Sequence, residues 1–102
     1  RDNADVFLAV SDDVAARGMR ILGVPLNGDP MIVSGESGAV PLGTLFALMT
    51  QEPNKELKEA LALDRDSLVF MVNTEGNTDP IEFRRILWDG ENPVPARYRI
   101  VR

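Results

Sequence analysis

The segment Val33-Ser34-Gly35-Glu36-Ser37-Gly38-Ala39-Val40-Pro41-Leu42-Gly43 constrains this chain more than any other. It leads from a short β-prone run (Met31, Ile32, Val33) through small residues and one carboxylate into an apolar stretch over residues 42–49. The pattern predicts a strand end, a tight polar turn and the start of a buried helix. Proline is tolerated in the first turn of a helix, where its missing N–H would be unpaired in any case. Pro41 therefore places the N-cap near Gly38 or Ala39, with the helix running over residues 39–51 and Ser37 just ahead of the free amides. In an open α/β sheet such a junction, with unpaired amides and a positive helix end, is where ligands bind. From position alone, Ser37 also reads as an ordinary capping residue.

The rest of the chain reads as alternating strands and helices. Val6-Phe7-Leu8-Ala9-Val10 is a continuous apolar run suited to a strand buried on both faces. Ser11 or Asp12 caps a helix whose buried stripe is Val14, Ala15, Gly18, Met19 and Leu22, with Arg17 and Arg20 outward. Gly23 and Pro25 stop it, and residues 25–30 form a loop. The helix over 39–51 is apolar nearly all round, which predicts cover on more than one side; Gly43 lets a neighbour come close. That is more burial than one hundred residues readily provide, so further chain is expected. A short helix over residues 55–63 follows, with Lys55 and Glu59 paired on its solvent face. Residues 67–72 are a second apolar strand. After the turn Asn73-Thr74-Glu75-Gly76-Asn77, Thr78 or Asp79 caps a last helix. Pro80 takes its first position, Glu82 completes a capping-box-like pattern, and Ile81, Phe83 or the stem of Arg84, Ile86 and Leu87 are buried. Strands separated by such helices imply βαβ units, hence an α/β fold with a small parallel sheet and flanking helices. Residues 91–102 form a tail, extended or disordered, without a motif.

Composition removes several function classes. The formal charge of -5 argues against nucleic acid or an anionic membrane as partner. The apolar run over 39–49 is interrupted and too short to span a bilayer. Arg1-Asp2-Asn3-Ala4-Asp5 is not a signal peptide, and the cytoplasm is the expected compartment. With no Cys and no His, thiol chemistry and the commonest metal ligand are missing, and no metal is expected.

The runs S-G-E-S-G-A-V-P-L-G and N-T-E-G-N-T-D-P, in that order, resemble the C-terminal part of the diaminopropionate ammonia-lyases. These are pyridoxal-phosphate enzymes of the tryptophan-synthase β type, alongside the serine and threonine dehydratases. The resemblance covers about residues 2–90 and implies that this stretch is the C-terminal part of a fold-type II catalytic domain. It implies pyridoxal 5'-phosphate as cofactor, a small amino acid as substrate and α,β-elimination of 2,3-diaminopropionate to pyruvate and ammonia. By the same resemblance Ser37 is the hydrogen-bond partner of the pyridine nitrogen, and Thr74 and Glu75 lie near the ring. The full-length enzyme is expected to be a homodimer. Such an enzyme needs a Schiff-base lysine and a glycine-rich phosphate loop. Lys55 and Lys58, the two lysines of this chain, sit on its most charged helix, and in the family those catalytic parts lie upstream. No catalytic residue is therefore assigned here, and the isolated chain is expected to be inactive and to self-associate. A serine or threonine dehydratase fragment and a stand-alone anion-binding module are the alternative readings.

Overall fold

The computed structural model describes residues 8–73, 76 and 79–100. Four α-helices are present among them: α1 (Asp12–Gly23), α2 (Glu36–Thr50), α3 (Lys55–Ala60) and α4 (Pro80–Leu87), with 3-10 turns at Glu52–Asn54 and Ala96–Tyr98. None is long and apolar enough to cross a membrane.

The expected α/β fold with a parallel sheet is overturned: the described residues contain no strand. A strand exists only through the hydrogen bonds of its neighbours, and apolar side chains alone do not supply them. Residues 8–10 and 67–72 have the composition of buried strands but no partner among the described residues on which to form a ladder. Leu68 is 100 % exposed and Phe70 89 %. Val6 and Phe7 lie outside the described residues. The β-prone lead before α2 is also no strand; its Ile32 amide donates instead to the Leu22 carbonyl at the end of α1 (2.9 Å).

What organises the chain is the pair α1 and α2. They cross along a seam of small residues, Gly18 on one side and Ala39 and Gly43 on the other. A Cβ on Gly18 would overlap the Ala39 carbonyl oxygen, and one on Gly43 the Val14 carbonyl oxygen. Gly43 thus allows the close approach its position suggested. Ala16, Met19 and Ala39 are buried there with Ile86 of α4, and Leu22 and Phe83 pack against them. Ala16 adds a buried position to the expected stripe of α1, while Leu22 is half-buried.

Arg17 and Arg20 do not point outward. Arg20 donates through Nε to the Ile86 carbonyl and through Nη1 to the Asn92 carbonyl, both at 3.2 Å, and through Nη2 to the Glu91 carbonyl. Arg17 stacks over the Phe46 ring, 4.4 Å from its centroid, and donates to the Tyr98 carbonyl at 3.2 Å. The two guanidiniums thereby fasten the end of α4 and residues 91–98 to α1.

Helix α4 begins as its sequence requires: Asp79 Oδ1 accepts from the Glu82 amide at 3.1 Å, with Pro80 in the first turn. Thr78 lies outside the described residues. Ile81, expected in the core, is 63 % exposed; at 100° per residue it falls on the far side from Phe83, Ile86 and Leu87. Helix α3 ends earlier than expected, because Ala62 adopts φ 57° and the Leu63 amide turns back to the Lys58 carbonyl (3.1 Å). Lys55 and Glu59 form no ion pair; Arg85 and Glu91, 3.0 Å apart, do.

Candidate functional site

The start of α2 departs from expectation in a way that bears on Ser37. The N-cap is Gly35, not Gly38 or Ala39, and the Ala39 amide already donates to the Gly35 carbonyl (3.1 Å). Pro41 sits inside the helix, with its ring exposed. Its missing donor removes one bond, the one the Ser37 carbonyl would accept, and the helix continues across that gap. Ser37 is therefore neither in a preceding turn nor a cap: it is the second residue of α2. It is exposed, and its hydroxyl makes no hydrogen bond among the described residues. It borders an open cleft of about 230 Å³ lined by Val10, Ser11, Asp12, Ala15, Glu36 and Val40.

The residue just before the N-cap is tied to the second motif. Ser34 is fully buried, and its Oγ donates to Asn73 Oδ1 at 2.9 Å, with the Gly35 carbonyl 3.1 Å away as a second acceptor. Asn73 Nδ2 donates back to the Val33 carbonyl at 3.4 Å. The start of α2 and Asn73 are thus held side by side. Thr74 and Glu75, the other residues assigned to the ring, lie outside the described residues.

Glu36, the first residue of α2, faces Glu82 of α4. A hydrogen bond between the two carboxyls, partial burial and the negative charges of Glu82, Asp12 and Glu91 push the Glu36 carboxyl up to about 7. The positive end of α2 favours its charged form, but the crowding of acids outweighs this. Near pH 7 the Glu36 carboxyl is therefore only part ionised. Sequence reasoning missed both Ser34 and the Glu36–Glu82 pair. The one available signal for Ser34 was a lone hydroxyl directly after the apolar Ile32-Val33; nothing in the sequence relates residue 36 to residue 82.

The lysines are elsewhere. Lys55 and Lys58 follow the C-terminal end of α2, whereas Ser37 stands at its N-terminal end, about 20 Å away along the axis. The described residues hold no group of His, Cys, Asp and Glu able to bind a metal ion.

No family model matches the chain. It is 46 % identical over 94 residues to diaminopropionate ammonia-lyase of Escherichia coli K12, an alignment that takes in 92 % of this chain and 24 % of the enzyme. This chain is similar to diaminopropionate ammonia-lyase. Its backbone superposes on the apo crystal structure of the Escherichia coli diaminopropionate ammonia-lyase with a TM-score of 0.76 at 48 % identity, covering 82 % of this chain and 23 % of that one. It superposes equally well, with a TM-score of 0.76 at 48 % identity, on the same enzyme in complex with an aminoacrylate-PLP azomethine reaction intermediate, covering 82 % and 22 %. The chain thus spans about a quarter of the length of the relatives it matches.

Proposed function

We propose that this chain forms the ring-side part of a pyridoxal-phosphate-dependent ammonia-lyase that converts 2,3-diaminopropionate to pyruvate and ammonia. The observation that carries the reading is the backbone match at 48 % identity to a diaminopropionate ammonia-lyase in complex with an aminoacrylate-PLP azomethine intermediate. The donor set fits one side of that cofactor. Ser37 offers a neutral, exposed hydroxyl without a partner among the described residues, at a helix start tied to Asn73, which precedes Thr74 and Glu75 in the sequence. It does not fit the other side, since both lysines lie at the far end of α2. The amine and the phosphate cradle therefore come from outside this chain.

When bound, pyridoxal phosphate supplies the electron sink for loss of the substrate's Cα proton. The residues of this chain tune and orient that sink. A carboxylate against the pyridine nitrogen would keep it protonated, whereas the Ser37 hydroxyl shares a hydrogen bond and leaves the nitrogen weakly protonated. A weaker sink suits elimination, because the β-amino group departs soon after deprotonation and no long-lived carbanion is stored. Loss of the β-amino group releases one ammonia; hydrolysis of the remaining imine consumes one water and yields pyruvate and the second ammonia. In this reading Thr74 and Glu75 are further ring-side residues, and the intact enzyme works as a homodimer in the cytoplasm.

The test is made in the full-length protein. Ser37 is exposed and is not the cap, so a purely structural role predicts that Ser37→Ala changes stability by less than about 0.5 kcal/mol and leaves turnover intact. The ring-side role predicts lower turnover and a shifted cofactor absorbance in Ser37→Ala, and a folded but slower enzyme in Ser37→Asp, whose carboxylate would keep the ring nitrogen protonated. Pyruvate release from serine or threonine in place of diaminopropionate would move the assignment to a dehydratase. Wild-type kinetics in both variants would remove Ser37 from the site.

A further inference from the structure

We infer that the cavity between α1, Phe46 and the C-terminal residues is a binding site for a small monocarboxylate with an apolar body, its carboxylate held by the Arg17 guanidinium. The cavity has a volume of about 500 Å³, inside the range of about 300–1,000 Å³ in which small ligands bind. Its walls come from five separate segments of the chain: α1, the loop after it, Phe46 of α2, Leu87 of α4, and Val94 with Ile100. It shares no lining residue with the cleft beside Ser37, and the inference does not rest on the lyase reading.

Most of the wall is aliphatic or aromatic, which favours an apolar body. Two guanidiniums, Arg17 and Arg20, line the same space. Neither forms an ion pair among the described residues, where Arg85 and Glu91 are the pair that does. Burial pushes both below the ordinary arginine value, for Arg17 against the pull of Asp13 and for Arg20 with the added charge of Arg17. Two cations on one apolar wall, with no counter-ion in contact, are an arrangement that a bound anion relieves. The two are not equivalent. All three nitrogens of Arg20 donate to backbone carbonyls, those of Ile86, Asn92 and Glu91. Arg17 commits only Nη1, to the Tyr98 carbonyl, and is held over the Phe46 ring. Its Nε and Nη2 remain for a carboxylate, and Arg20 adds its charge to the same wall. Asp29 also lines the cavity and is exposed. A second carboxylate on the ligand would be repelled there, so the class is a monocarboxylate.

The experiment titrates the full-length protein with hydrocinnamate, followed by ligand NMR, beside the neutral hydrocinnamide. The acid should bind saturably and the amide about tenfold more weakly, the difference a charge-assisted pair makes. This comparison is made on the unchanged protein, so it does not depend on how a variant folds. Arg17→Met keeps an apolar stem against Phe46 and removes the charge; it should weaken the acid about tenfold and spare the amide. Leu26→Glu sets a negative charge on the wall at a residue that is 71 % exposed, where the fold is not at stake, and should act likewise. No saturable binding of the acid, or equal binding of acid and amide, overturns the site. So does wild-type binding of the acid in both variants, the result expected if the acid is taken up at another place in the protein. None of these results bears on the lyase reading, which pyruvate release decides.

Discussion

Replacing Gly43 by alanine tests the packing on which the candidate site depends. The new Cβ would overlap the Val14 carbonyl oxygen, far inside the 3.0 Å that real Cβ contacts keep, with the Gly18 amide nitrogen 3.2 Å away. Both obstacles are backbone, so no side chain can rotate aside, and α1 and α2 must part by about 1 Å. A gap of that size forfeits between about a quarter and a half of each dispersion contact across the seam. Overpacking of this kind costs about 1–3 kcal/mol, and contact with fixed backbone places Gly43→Ala at the upper end. Against this stands the intrinsic preference of a helix for alanine over glycine, about 1 kcal/mol. The expected result is a net loss of about 2 kcal/mol in urea denaturation followed by helical circular dichroism. Gly18→Ala should act alike, and the double variant should lose less than the sum, since helices already parted leave room for the second methyl. A neutral or stabilised Gly43→Ala would mean that the helices do not meet along this seam.

Arg20→Ala should cost about 2 kcal/mol and raise hydrogen exchange over residues 91–98, since it unpairs the Ile86, Asn92 and Glu91 carbonyls together. Arg20→Lys should recover little of this, because a single ammonium cannot replace the guanidinium fork. Glu36 is raised from 4.5 to about 7 in the folded chain, so its contribution to stability is complete below pH 4.5 and is lost as pH rises through 7. With solvent screening the fall should be about 1 kcal/mol across that window, and Glu82→Gln should flatten it in denaturation measured against pH. The isolated 102-residue chain should self-associate through Leu68 and Phe70, which are 100 % and 89 % exposed; sedimentation should show monomer for the Leu68→Lys, Phe70→Lys double variant. The same chain mixed with pyridoxal phosphate and diaminopropionate should release no pyruvate.

The parts of the fold legible in the sequence were those set by neighbours along the chain. Asp79 before Pro80 and the Gly43 approach were each set by local chemistry, and the structure agrees; Ser11 stands at the start of α1, but its hydroxyl donates to Asp13 Oδ1 and caps no amide. The strands were misread because a ladder belongs to two segments, and apolar composition describes only one. The start of α2 was misplaced because the rule that confines proline to the first turn weighs one lost bond heavily. Here the small residues at 37 and 38 let the helix run on through it. The Ser34–Asn73 and Glu36–Glu82 contacts were out of reach for a plainer reason: they join residues 39 and 46 positions apart, and no periodicity along one segment encodes such a pairing.

Two ties of different character hold the start of α2 to the C-terminal part of the chain, and their difference has a consequence. The Glu36–Glu82 contact depends on the proton held by Glu36, so it weakens as pH rises through about 7 and turns repulsive as Glu36 ionises, with Asp12 and Glu91 adding to the repulsion. The Ser34–Asn73 contact joins two neutral groups and does not titrate. Below that pH the two ties share the load; above it more of the load falls on the Ser34–Asn73 contact. Ser34→Ala should therefore lower stability more at pH 8 than at pH 5. The added Glu82→Gln change, which replaces the titrating tie by a neutral one, should remove that pH dependence while leaving the effect of Ser34→Ala itself. If Ser34→Ala lowers stability equally at both values, the two contacts do not bear on the same joint, and the start of α2 is held by its seam with α1 alone.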